Sequence, residues 1–185
     1  MEGSARKTVR WVICMQMMKT VLRTIDWTNK WVGASIRWLA VGMIVATSYE
    51  VLSRYLFGAP TLWAHQTVII MGGALVSLSW GWVHLHGGHV RMDILHRRLS
   101  PRAQAISDVV CALLFFFPLI GLLIYVSGQW MIDSWAAGER WTISIWKPLL
   151  APSRTGILFG LILFFLQGLA MFIRDIYFIV RGERP

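Results

Sequence analysis

From Tyr55 to Val90 the chain runs 36 residues without an Asp, Glu, Lys or Arg. A helix or strand facing water on one side would carry charge along that side, so a stretch like this belongs where water is absent. The pattern recurs twice. Val109 to Ile132 is uncharged and bracketed by Asp108 and Asp133, and Thr155 to Ile173 is uncharged after Pro148 and Pro152. The two prolines suit a chain about to enter a helix. A fourth apolar segment, Ile36 to Phe57, holds Arg37 near one end and Glu50 and Arg54 near the other. A hydrocarbon layer about 30 Å thick takes roughly 20 helical residues to cross, which each of the four can supply. Composition agrees. The 185 residues are 56% hydrophobic and 15% charged, with a mean hydropathy of +0.57, whereas soluble domains run near 45–50% apolar and about 25% charged.

These segments predict an all-α integral membrane protein with helices at about 36–57, 63–85, 109–132 and 155–173. Pro118, inside the third, predicts a kink of the kind that lipid-embedded helices tolerate. The four spans form a membrane domain over 32–176, with a basic amphipathic segment at 1–31 on the inner face and a short tail at 177–185. The patch Trp11 to Met18 is too short for a signal peptide, and Lys19 ends it. Lys and Arg in short loops stay cytoplasmic. With both termini inside, 14 of the 18 basic residues fall on the cytoplasmic side, leaving Arg54, Arg140, Lys147 and Arg154 outside. The expected topology is N-in/C-in, with interfacial helices flanking the four spans. The net charge of +9 flanks apolar runs rather than covering a soluble module. It therefore points to anionic lipid and not to nucleic acid. Trp11, Trp27, Trp31, Trp63, Trp130, Trp135, Trp141 and Trp146 fall near the expected interfaces, where an indole is apolar on its face and hydrogen-bonded at its N–H.

Few residues suggest chemistry. Cys14 and Cys111 cannot form a disulfide framework. His84, His86 and His89 lie close in sequence, but only Asp93 among carboxylates is near them, which argues against a metal site. His65 and His84 are nineteen residues apart on one helix, roughly 28 Å at the α-helical rise, so they cannot share a haem. Glu50 is an ionisable group in a membrane helix and therefore a candidate proton site. Arg54, four residues later, offers it an ion pair in the favoured order. Gly73, Ser77 and Gly81 share one helix face, and Gly156 and Gly160 form a GxxxG, spacings that let helices approach closely. No nucleotide loop, nucleophile set or paired carboxylates mark an enzyme, and no cofactor is expected. No internal repeat of the kind found in self-sufficient transporters is visible.

Several marks resemble the DctQ-like small membrane subunits of tripartite ATP-independent periplasmic (TRAP) transporters, over about Val32 to Ile176. They are Arg54-Tyr55-Leu56-Phe57, then Trp63, then His89-Val90-Arg91-Met92-Asp93, then Leu99-Ser100-Pro101-Arg102 with Asp108, and Leu166-Gln167-Gly168. Where many members carry acids after the tryptophan, this chain has Ala64, His65 and Gln66. The resemblance implies a multi-pass protein of the bacterial inner membrane that packs as a scaffold, in a stable heterodimer, against a large membrane subunit. The large subunit would carry out sodium-coupled uptake of an organic acid brought by a periplasmic binding protein that docks transiently. Arg54, Tyr55, Trp63, His89, Arg91 and Asp93 fall within these marks, and with Glu50, His65 and Gln66 beside them they are the expected partner-interface or structural residues. Ending at Pro185, the chain looks like a separate subunit rather than a fused one. Two other classes stay open: a self-contained proton-coupled transporter using Glu50, and a haem-bearing membrane anchor.

Overall fold

A computed structural model describes residues 2–86, 100–142 and 146–182, with side chains from position 16 onward except at 18. The described chain is helical: α1 (Glu2–Leu56), α2 (Ala64–Leu85), α3 (Pro101–Cys111), α4 (Phe117–Ala137) and α5 (Ala151–Arg181), with a π-helical turn at Ala112–Phe116 joining α3 to α4. Among the described residues four stretches are long and apolar enough to cross a membrane: Lys19–Leu56, Ala64–Leu85, Pro101–Ala137 and Ala151–Arg181.

The helix boundaries have local causes. Gly58, at φ 60°, supplies the left-handed residue that turns α1 toward α2. Ser100 caps α3 by accepting from the Ala103 N–H at 3.4 Å, with Pro101 in the first turn, a position where a missing N–H costs nothing. The kink expected at Pro118 takes the form of the widened turn before it. The Phe117 N–H donates to the Ala112 carbonyl, five residues back. A proline ring clashes with the carbonyl four residues earlier, here that of Leu114, and a π turn gives that carbonyl room.

The structure extends three of the expected spans. The expected third helix is the end of a longer run from Pro101 to Ala137, and the fourth reaches Arg181. The boundary drawn near residue 31 does not interrupt the backbone, since α1 is unbroken from Glu2 to Leu56. Charge marks where a chain leaves hydrocarbon, but it does not stop a helix from continuing.

Helix α5 is the hub. It packs against α1, α2, α3 and α4, whereas the main partner of α1 among the other described helices is α2. Accordingly α5 buries Gly160, Leu161, Leu163, Gln167, Gly168 and Ala170, while the outward faces of α1 and α4 keep large apolar side chains exposed. Exposed apolar surface on this scale suits helices solvated by lipid or by another membrane protein.

Candidate functional site

Three groups of side chains hold the bundle together. At the carboxyl end of α1, Glu50 accepts from Arg54 at 2.6 Å through one oxygen and from the Thr61 N–H at 2.9 Å through the other. One carboxylate thus closes the turn between α1 and α2 as well as pairing along its own helix. Ser53 adds a hydrogen bond to the Ala59 carbonyl at 2.6 Å, and Trp63 stacks on Tyr49 with ring centroids 5.9 Å apart. Tyr55 and Phe57 are about four-fifths exposed, His65 is exposed, and Gln66 buries its side-chain oxygen without a partner among the described residues. The loop between α4 and α5 is closed at the same end of the bundle. Arg154 spans it, 2.7 Å from Glu139, donating to the Trp130 carbonyl at 3.2 Å and lying 5.4 Å from that indole's centroid. Arg140 and Leu149 bridge across it, and Gly138 at φ 60° ends α4.

The middle is held by close approach. A Cβ on Gly160 would strike the backbone of Ser77, so α2 and α5 touch where Ser77 is buried. Gly81 faces the side chain of Asn29 in the same way, and Gly168 faces the Phe116 ring. Of the small residues singled out from their spacing, Ser77, Gly81 and Gly160 sit at helix contacts. Gly73 and Gly156 face open space.

The third group is at the opposite end, and sequence reasoning missed it. Asp26 and Asn29 on α1 meet Gln167 and Arg174 on α5. The Gln167 amide donates to Asp26 at 3.0 Å and accepts from Asn29 at 2.8 Å, and Arg174 donates to the other Asp26 oxygen at 2.6 Å. Asn29 and Gln167 are fully buried. Low dielectric makes such a network strong when satisfied and costly when broken. Asn29 Oδ1 has no conventional partner among the described residues and abuts Gly81, an arrangement suited to a Cα–H···O contact. The signal in the sequence was shared faces: Asp26 with Asn29, and Gln167 with Arg174, recur at three- and seven-residue spacings.

The histidines divide. His84 stacks on Phe116, with centroids 5.7 Å apart, and meets Phe164 edge-on at 5.3 Å. His86 leans on Trp82 at 4.3 Å. His89, Arg91 and Asp93 lie outside the described residues. Among the described residues no three His, Cys, Asp or Glu are placed to hold a metal ion. A cavity of about 450 Å³ opens between α2, α3, α4 and α5, lined by His84, Asp108, Phe116, Phe164, Phe172 and Asp175 among others. Asp108, Asp175 and His84 are all engaged in interactions of their own.

The geometry is that of a helical membrane bundle whose polar groups hold helices to one another. No significant match emerges among curated proteins or among solved structures. A family match does. Residues 43–177, most of the chain, match the family described as tripartite ATP-independent periplasmic transporters, DctQ component. The match takes in the Glu50 corner, the Ser77–Gly160 contact and the α5 half of the inner network, and it agrees with the four helices able to span a membrane. This chain belongs to the DctQ family, the small membrane subunits of TRAP transporters.

Proposed function

We propose that this subunit is the scaffold of its transporter: it forms a stable heterodimer with the large membrane subunit, which moves an organic acid and sodium, while a periplasmic binding protein docks transiently to deliver the acid. Both chain termini lie in the cytoplasm and the bundle sits in a bacterial inner membrane. The observation that carries this reading is how Glu50 and Asp26 are spent. Each of their oxygens is engaged: one Glu50 oxygen pairs with Arg54 along its own helix, and the other, with both Asp26 oxygens, meets a backbone N–H, an amide or a guanidinium from another part of the bundle. A proton site must release its partners as it titrates, whereas a carboxylate holding a turn closed has a static role. That argues for scaffold over self-contained transporter. The basic residues crowded toward one side favour the stated orientation.

The test is uptake in proteoliposomes. With the large subunit, the binding protein and this chain present, a sodium gradient drives uptake, and omitting this chain abolishes it. Full uptake without the chain overturns the scaffold reading, and uptake by the chain alone replaces it with the small-transporter one.

A further inference from the structure

Arg37 occupies a costly position. Its depth follows from the contacts between α1 and α2: Gly33 faces Trp82, Gly42 faces Met71, and Met43 faces Gly72. These pairs run antiparallel, and interpolation sets Arg37 level with Ser77 and Leu78, within one turn of the middle of the 22-residue α2. A 22-residue helix is about 33 Å long, close to the hydrocarbon thickness, so Arg37 is near the bilayer midplane. Its side chain is exposed and meets no hydrogen-bond or ion-pair partner among the described residues. An arginine leans back toward the amino terminus of its helix. In that direction the level of Leu85, the end of α2, is roughly 11 Å away, more than one side chain spans.

The surroundings sharpen this. Arg37, Val41, Ile44 and Ser48 form one stripe of α1, flanked by Trp38, and all are exposed. The exposed face of α4, by contrast, presents Leu119, Leu122, Tyr125 and Val126 through the middle of the span, its one charge, Asp133, lying in the last two turns at the outer end. Lipid covers the α4 face at no electrostatic cost. It has nothing to offer a guanidinium at the midplane, where charged side chains face protein or water and pair. A second copy joined face to face would set two Arg37 guanidinium groups together, so a homodimer there is repulsive. The complement is a different chain that carries negative potential at that depth.

Resting on the scaffold reading above, we propose that the α1 stripe of Arg37, Trp38, Val41, Ile44 and Ser48 is the docking face for the large membrane subunit. An intramembrane carboxylate, or the carbonyl end of a helix, in that subunit meets the Arg37 guanidinium. The apolar neighbours exclude water from the pair, and the planar fork of arginine suits two parallel hydrogen bonds to a carboxylate.

The test places a photocrosslinking amino acid at Val41 or Ile44, and at Leu122 as the control, in the otherwise native chain co-expressed with its large subunit. Crosslinks to the large subunit should form from Val41 and Ile44 and not from Leu122. Arg37→Leu should lower co-purified large subunit about tenfold, a factor worth about 1.4 kcal/mol, at unchanged yield of the chain itself. Arg37→Lys should retain most of it. Crosslinks from Leu122 instead of the α1 positions would overturn the docking face and leave the scaffold reading standing. Crosslinks between two copies of this chain, or full co-purification by Arg37→Leu, would also overturn it. If the native chain co-purifies no large subunit at all, the scaffold reading fails and this proposal with it.

Discussion

The two ends of the bundle solve the same problem differently. At the Glu50 end, carboxylate and guanidinium are four residues apart on one helix, and the carboxylate's longer reach is eleven residues, to Thr61. At the Asp26 end the partners are 141 and 148 residues apart, and the amides between them are fully buried. The first arrangement shapes a turn that local sequence already favours. The second joins the first helix of the chain to the last, and so acts on the whole fold. The guanidinium groups follow the same division, Arg54 being 56% exposed and Arg174 30%, whereas the carboxylates lie closer and in the reverse order, Glu50 at 12% and Asp26 at 21%. An ion pair open to water contributes little, and one drawn into a network contributes more.

That contrast can be broken at several points. The largest effect is expected from Gln167→Leu, which leaves one Asp26 oxygen without its amide partner and the Asn29 amide with only the Ile25 carbonyl. The cost should be about 2 kcal/mol, seen as a lower midpoint in denaturant unfolding of the detergent-purified chain. If Glu50→Gln proves as damaging, the two ends do not differ in the sense argued. Next comes Gly81→Ala, because the added methyl meets an Asn29 side chain that Gln167 holds in place. Overpacking of this kind should cost about 1.5 kcal/mol in the same measurement. Loss of that penalty in an Asn29→Ala background would locate the strain. A double-mutant cycle on Asp26 and Arg174 should give a coupling of about 1 kcal/mol, allowing for their partial exposure. The same cycle on Glu50 and Arg54 should give the smallest coupling of the set, close to the error of the measurement. Equal couplings would mean that sequence separation has no bearing on how much these pairs contribute.

Much of the fold was legible because lipid imposes a simple code. Uncharged runs of sufficient length gave four spans, one of them drawn at about 63–85 where α2 runs from Ala64 to Leu85. The Glu50–Arg54 pair was legible for a similar reason, its spacing being one helical turn. The inner network was not. Asp26 and Asn29 fell in a stretch that reads as a surface-lying basic helix, and Arg174 reads as one more cytoplasmic charge. Their partnership depends on how α1 and α5 pack, which no local pattern encodes. The unbroken length of α1 was missed too, because charge was allowed to stand for a helix end. The contacts of Gly73 and Gly156 show the converse limit. A small residue permits close approach but does not require it, so GxxxG spacing identified the right helices and only some of the right positions.

The π turn before Pro118 has a consequence for helical phase. A turn closed over five residues takes up one residue more than the α-helical turns on either side. The faces of α3 and α4 therefore keep their alignment although the chain between them is one residue longer than a straight helix would need. Ala105 before the turn and Ile120 and Ser134 after it all stay buried. Deleting the exposed Leu114 should shrink the turn to an α-helical one without rotating either flank. It should also bring the Pro118 ring back against a carbonyl with no room to yield. Deletion alone should lower the yield of folded protein, and deletion combined with Pro118→Ala should restore it. The spare residue and the proline are thus a matched pair, each tolerable because of the other.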